Sequence, residues 1–435
     1  MSPRHDVRRY QEPRPLPWLI GLLGPVNRTL MLRGALRLRE FDLPAADLAR
    51  LRAAVHPGTA AFLGPNHPEF TTDWLIDKEL SRLCSPLMAH WASYEIVNGS
   101  PLAQRFWLAN NLVANAPGGD GKAYSVRWAR AGHGVLLHPE GTATWQSQRT
   151  SRLLPGIVDM AWETAEQLRA ESLPRPVYVV PLVWRLRFVD DASAGLHREM
   201  TWIERALRLP AGRDTDAIGT RFAALLVQVL RARAAALGLP EPGIGSPRDY
   251  FPAQAATLAA IRAALAERHG EVDEDVTRAQ HRLRGAIRRR LREDGDDAAA
   301  ARDRALVTEL QRLHSFDPAL YDRAELTQEQ VAEHLKRVRS ALVTKGWRNA
   351  LHNLVPVAVA PRIAHVRVPE PLDVSAALAA LPAGADPATA RAGLLDALAA
   401  RLQGGLDALG AELETVRVAR RTPLPLHTGV TTAAR

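Results

Sequence analysis

Two histidine-bearing segments carry the residue types that acid–base chemistry needs. Residues Gly64 to Lys78 read GPNHPEFTTDWLIDK and residues 135 to 142 read VLLHPEGT, each directly after a short apolar run. A histidine with carboxylates close in sequence, launched from the end of a strand, is what an open α/β sheet gathers around a reaction centre. An imidazole titrates near neutral pH and can take a proton from an alcohol, while a neighbouring carboxylate fixes its tautomer and stabilises the imidazolium that forms. His67, flanked by Asn66, Pro68, Glu69 and Asp73, is the expected base, and Asp73 its expected partner. Glu140 and Gly141 follow the second run in the same manner, which puts HPEGT on the same rim; by itself the motif also fits an ordinary strand-to-loop turn. Arg127, Arg130, Arg149 and Arg152 offer guanidinium groups suited to bidentate phosphate binding.

The elements that must position these residues show in the apolar pattern. Thr59 to Leu63, Gly134 to Leu137 and Val177 to Val183 are compact apolar runs ending at Gly, Pro or polar residues, as strands do; Trp74 to His90 and Ile157 to Arg169 have helical spacing. This order predicts an α/β sheet with crossover helices. From about residue 190 to about 350 the chain is rich in Ala, Leu, Arg and Glu with helical periodicity, and reads as an all-helical block. Ala364 to Val368, followed by PEPLDV, reads as one more strand, and Leu394, Leu395, Leu398, Leu402, Leu406 and Leu409 trace the stripe of a closing helix. The expected organisation is a core formed by residues 1–190 and 353–415, a helical insertion over 191–352, and a loose tail over 416–435. No internal repeat is found.

With 435 residues and 46% hydrophobic content the chain can bury a sizeable core. Cys84 is the single cysteine, so no internal disulfide forms and a reducing, cytosolic setting is expected. The N-terminus has no apolar core followed by a small-residue cleavage site, so no signal peptide is expected. Pro17 to Val26 is apolar but far shorter than the roughly 20 residues that span a bilayer. With Trp18 among leucines and arginines nearby, it suits either a helix packed on the core or one lying in a membrane interface.

The net charge of +9 favours anionic partners: phosphorylated substrates, acidic headgroups or nucleic acid. Nucleic acid is the weakest of the three, because neither zinc-finger spacing nor an aromatic-rich basic strand occurs. Val276 to Arg292 sets seven arginines against a stripe of Val276, Ala279, Leu283, Ile287 and Leu291. Two readings stand: a basic helix on an acidic membrane, or a bundle helix whose arginines pair with the acidic run Glu293 to Asp297. NAPGGDGK, residues 115 to 122, lacks the glycine spacing of a phosphate-binding loop and reads as a plain loop.

Taken together, NHPEF with Asp73, then HPEGT, then Pro155 and Gly156, then VVPLVW around Pro181 resemble the glycerophospholipid acyltransferase superfamily, whose best-known members are the 1-acylglycerol-3-phosphate acyltransferases. The lead-in LREFDLPAAD and the late VRVPEPLDV are similar to it as well. The likeness covers roughly residues 30 to 190 and 355 to 415 and leaves the helical block out. It implies an α/β core with a mixed sheet flanked by helices, carrying a large all-helical insertion. It also implies transfer of a fatty acyl group from acyl-CoA or acyl-carrier protein to a hydroxyl of lysophosphatidic acid or a related acceptor. In that reading His67 is the base, Asp73 orients it, and Glu140, Gly141, Thr142, Arg127, Arg149 and Arg152 form the acceptor site. No metal or organic cofactor is then needed, and the expected place is the inner face of a membrane, held peripherally. Two positions depart from the family: five residues separate His67 from Asp73, one more than usual, which brings Glu69 and Asp77 forward as alternative partners, and Ala143 replaces an arginine.

Two other readings stand beside this one. His67, Glu69, Asp73, His138 and Glu140 could ligate a metal and activate water for hydrolysis, although no HExxH helix is present. Alternatively, the chain is a membrane-surface or partner-binding protein whose α/β part is catalytically degenerate.

Overall fold

The computed structural model describes residues 10–116, 119–173, 175–295, 297–343, 358–382 and 384–428. Two compact units emerge, each from two stretches of chain: Met1–Arg187 with Val355–Arg417, and Phe188–Leu354 with Val418–Arg435.

The first unit is an α/β layer structure. Its strands are β1 (Leu38–Asp42), β2 (Ala60–Pro65), β3 (Ala89–Ser93), β4 (Leu112–Asn115), β5 (Val135–Leu136) and β6 (Val177–Phe188); after β7 (Glu325–Thr327), which belongs to the second unit, come β8 (Arg362–Arg367) and β9 (Leu372–Asp373). They form one sheet in the order β1-β8-β6-β2-β5-β3-β4, and β9 pairs antiparallel with β6, so the sheet is mixed. Helices α1 (Pro17–Val26), α2 (Ala45–Ala54), α3 (Thr71–Cys84), α4 (Tyr94–Val97), α5 (Pro101–Ala109), α6 (Gly121–Arg130) and α7 (Gly156–Ala170) flank it, with the closing helices Val374–Ala379 and Pro387–Val416. Side chains alternate across the pleat: Ala60, Phe62, Val177 and Val179 enter a core with α6, α7 and Leu398, Leu402 and Leu406, whereas Ala61, Leu63, Val180 and Leu182 enter a second core with Leu51, Leu75, Ile76 and Leu80. Every residue of β2 is buried, which is why its apolar run is continuous.

Several expectations are corrected here. The helix expected over Trp74 to His90 stops at Cys84, because Ser85 precedes Pro86 and takes an extended conformation (φ −150°, ψ 91°); His90 lies in β3 instead. The late strand begins at Arg362 and ends before the Pro369–Pro371 stretch, and the chain beyond it makes a separate strand, β9. Pro17 to Val26 is helical but has no buried residue; the following π-helical turn Asn27–Ala35 is tied to α3 through Asn27 Nδ2, which donates to the Leu75 carbonyl (2.9 Å).

The second unit holds α8 (Ser193–Leu207), α9 (Ile218–Ala236), α10 (Tyr250–His269), α11 (Val276–Asp294), α12 (Asp297–Ser315), α13 (Pro318–Tyr321) and α14 (Gln328–Leu342). It is not all-helical, since β7 pairs antiparallel with β10 (Arg421–Pro423). The tail is therefore not loose as far as residue 428: Leu424 and Leu426 are buried, and the Asp322 carboxylate accepts from the Thr428 backbone N–H (2.8 Å). Residues 344–357 and 429–435, including the expected boundary at 352, lie outside the described residues. In α11 the stripe of Val276, Ala279, Leu283 and Ile287 is buried, and Arg278 pairs with Asp273 and Asp275 ahead of the helix rather than with the acidic run after it.

Candidate active site

Strands β2 and β5 are parallel neighbours in register (Phe62 opposite Val135, Leu63 opposite Leu136), so the loops that follow them leave the same edge of the sheet. This brings together two motifs that lie far apart in the sequence. Asn66 locks the first loop, its side chain bonding both backbone groups of Trp184: Oδ1 accepts from the N–H (2.9 Å) and Nδ2 donates to the carbonyl (3.2 Å). His67 is clamped from the second loop. Its N–H donates to Glu140 Oε1 (2.7 Å), and its carbonyl accepts from the Thr144 N–H (2.8 Å) and hydroxyl (3.2 Å).

The His67 ring pairs with Asp73 on the first turn of α3, Nδ1 to Oδ2 at 2.5 Å. Asp73 also accepts from the Glu69 backbone N–H (3.0 and 3.1 Å), closing a turn that absorbs the extra residue between histidine and aspartate. The imidazole is 13% exposed, with Nδ1 bonded to Asp73 and the Glu69 backbone contributing a further hydrogen bond to the ring. Burial first, and then the neighbouring His138, hold this ring's affinity for a proton well below the ordinary histidine range. A neutral ring with Nδ1–H pointing at a carboxylate has the geometry of a general base.

Of the two alternative partners, Glu69 faces Arg362 (3.3 Å) and Asp77 accepts from His138 Nε2 (3.0 Å), so both side chains are engaged away from the His67 ring. Glu140 is a brace for the loops: besides His67, it accepts from the Ser151 N–H (2.7 Å), and burial raises its carboxyl above the usual range. Gly141 sits at φ +69°, a backbone conformation that strains any residue with a side chain, and an added Cβ would press on the Leu154 side chain at 2.5 Å; half-buried Thr142 follows it in the loop. Arg149 and Arg152 flank Thr150 and Ser151; the Thr150 N–H donates to Gln403 of the closing helix (3.1 Å), and the Ser151 contact places this stretch of backbone beside the Glu140 brace. Arg127 pairs with Glu12 at the surface (2.7 Å), and among the described residues it makes no hydrogen bond to either histidine loop. Arg130 is likewise committed elsewhere, to Gln167 and Glu171.

Sequence reasoning misses the pairing of His138 with Asp77 and the Thr144 clamp. Asp77 lies four residues after Asp73, one helical turn on the same face of α3, and that spacing is the available signal. The His67 and His138 rings stack at 4.0 Å with planes 15° apart. Ligand atoms of His67, Asp73 and His138 lie within 4.8 Å of one another. Donors around a tetrahedral metal, each about 2.0–2.2 Å from it, stand roughly 3.3 Å apart. The 2.5 Å between His67 and Asp73 is instead the spacing of a proton-bridged pair, and both nitrogens of His138 already face oxygen acceptors.

The chain matches no protein-family model and no curated protein.

Proposed function

We propose that this chain is an acyltransferase with a glycerophospholipid acyltransferase-like core. It would move a fatty acyl group from a thioester donor, acyl-CoA or acyl-carrier protein, to a hydroxyl of lysophosphatidic acid or a related glycerophosphate-type acceptor. The observation that carries this reading is the His67–Asp73 pair, set beside a Pro-Glu-Gly turn whose glutamate braces the histidine backbone. In the proposed step His67 Nε2 takes the proton of the acceptor hydroxyl as its oxygen bonds to the thioester carbonyl carbon. Collapse of the tetrahedral intermediate breaks the C–S bond, and the sulfur leaves with the proton that His67 gives back. Arg149 and Arg152, on the loop tied to Glu140, are suited to the acceptor phosphate. The donor is a co-substrate, and no further cofactor enters.

A lipid acceptor and product also support peripheral work at the inner face of a membrane. Leu16, Trp18, Leu22, Val26 and Leu30 of α1 and its flanks are exposed, Trp18 to 67%, with Arg28 and Arg33 alongside. Among the described residues no helix is long and apolar enough to cross a membrane.

The test is mass spectrometry of the lipids formed by purified protein from mixed acyl donors and lysophospholipid acceptors. A diacyl product and free thiol are expected with the native chain and none with His67→Ala. Full turnover by that variant, or no product from any donor–acceptor pair, overturns the proposal.

A further inference from the structure

The second histidine–carboxylate pair is built like the first but faces inward. His138 Nδ1 stands 3.2 Å from the Asn66 carbonyl and Nε2 3.0 Å from Asp77 Oδ2. A carbonyl oxygen only accepts, so Nδ1 carries a proton; the other face meets a carboxyl group, so a second proton lies between Nε2 and Oδ2. Asp77 is 1% exposed, its Oδ1 has no partner, and His138 is the one side chain bonded to its carboxylate among the described residues. A buried carboxylate persists only beside a compensating charge.

We infer that His138 is held as an imidazolium by Asp77 and that, stacked face to face on His67, it is a positioning charge that keeps His67 neutral and ready to accept a proton. This rests on the acyltransferase reading only for its catalytic meaning.

The surrounding groups agree with the assignment. Facing the pair are Asp73, Asp77 and Lys78 from α3, His90 from β3 and Glu140 from the loop after β5, while the Glu69 carboxylate, on the loop after β2, meets Arg362. Burial opposes a charge on His138, but Asp77, and beyond it Glu140, outweigh that and raise its affinity for protons. Burial keeps His90 neutral and brings the Lys78 amine down to about 7, so neither competes strongly for the Asp77 charge. Asp77 is itself raised, because burial outweighs the pull of His138 and, after it, of Lys78. Two imidazoles stacked at 4.0 Å do not both carry charge easily, and the one with the unshared buried carboxylate and two acceptor contacts keeps it.

The experiment has two arms on the full chain. Ring-nitrogen NMR at pH 7 is expected to show His138 protonated at both nitrogens and His67 at one; a singly protonated His138 overturns the inference. In the second arm, His138→Gln keeps a donor toward Asp77 without a charge. His67 is then expected to titrate about one pH unit higher, the order expected for two unit charges about 4 Å apart in a largely solvent-like dielectric. Activity needs neutral His67, so the acid limb of kcat/KM moves to higher pH by the same amount. Asp77→Asn removes the counter-charge, leaves His138 neutral, and shifts the limb in the same direction. A merely structural role would lower the rate without moving the limb, and that result overturns the inference. If His138→Gln does not fold, Asp77→Asn and the NMR of the native chain still decide. If no acyl transfer is found, the titration of His67 by NMR replaces the rate profile, so failure of the acyltransferase reading and failure of this one remain distinct.

Discussion

Replacing Asp73 by Asn separates the orienting role of this residue from every neighbouring carboxylate. Asp73 is fully buried, and its two oxygens serve His67 Nδ1 at 2.5 Å and the Glu69 N–H at 3.0 and 3.1 Å. Asparagine keeps only one of the two oxygens: with it at the Oδ2 position the N–H2 group meets the Glu69 N–H and weakens the turn, and with it at the Oδ1 position the N–H2 group meets the His67 ring. In this variant the imidazolium that forms on proton transfer loses the carboxylate bonded to its Nδ1, and a positioned general base contributes about 10²–10⁴ in rate. The expected loss in kcat/KM is roughly 10³–10⁴, which corresponds to roughly 4–5 kcal/mol of transition-state stabilisation. A stability cost of roughly 1–3 kcal/mol from the weakened turn accompanies it. Steady-state thioester cleavage with a lysophospholipid acceptor measures the first quantity, and urea unfolding the second. Glu69→Gln, whose side chain faces Arg362, is the control and is expected to stay within about tenfold of native. The reasoning is refuted if Asp73→Asn keeps turnover within about tenfold while folded, or if Glu69→Gln falls as far.

Glu140→Ala deletes two 2.7 Å bonds from backbone N–H groups to a buried carboxylate, so the amides of His67 and Ser151 should lose hydrogen-exchange protection together, at roughly 1.5–3 kcal/mol each. Retained protection at His67 would show that Glu140 does not hold the loop. Trp18→Ser with Leu22→Ser should weaken binding to anionic lipid vesicles in a flotation assay while leaving acyl transfer to a soluble short-chain acceptor unchanged; unaltered flotation removes α1 as the contact. Lys78, brought by burial from 10.5 to about 7, holds fewer protons in the folded than in the unfolded chain across that interval, so it makes stability rise with pH from about 7 to 10.5. Lys78→Met should cancel that rise, read as the difference between the two chains' urea midpoints at the two ends of that interval; parallel pH profiles would contradict it.

Where an element is buried on both sides, its sequence pattern is sufficient. The unbroken apolar runs at β2 and β6 and the stripes of α7 and the closing helix match elements whose inward positions are covered. Strands β3 and β4 leave little trace in the sequence because they are short and end on exposed polar residues, Ser93 and Asn115. The order in the tail is hidden for a related reason: a strand as short as β10 has no periodicity of its own and is fixed by its partner β7. At the site, His67 and Asp73 are legible because type and spacing suffice for a local pair. The true partners of Glu140 and Arg127 are not, because a carboxylate that braces backbone N–H groups and an arginine that meets Glu12 are decided by where distant segments arrive.

The same distinction governs the chemistry. In the sequence, β3 and β4 separate β2 from β5, yet in the sheet β2 and β5 are adjacent. Strand order is set by crossover packing over whole layers, and nothing local in NHPEF or HPEGT encodes it. Adjacency turns two weak motifs into one site: it sets His138 on His67, lets Glu140 and Thr144 grip the His67 backbone from both sides, and leaves Asp77 to the second ring instead of the first. Asp73 and Asp77 are alike in type, helix and face, and they differ only in which imidazole the neighbouring strand delivers to them. In the proposed reaction the first would stabilise a charge that appears on His67 and, under the inference above, the second a charge already held on His138; sheet topology alone assigns each carboxylate its imidazole.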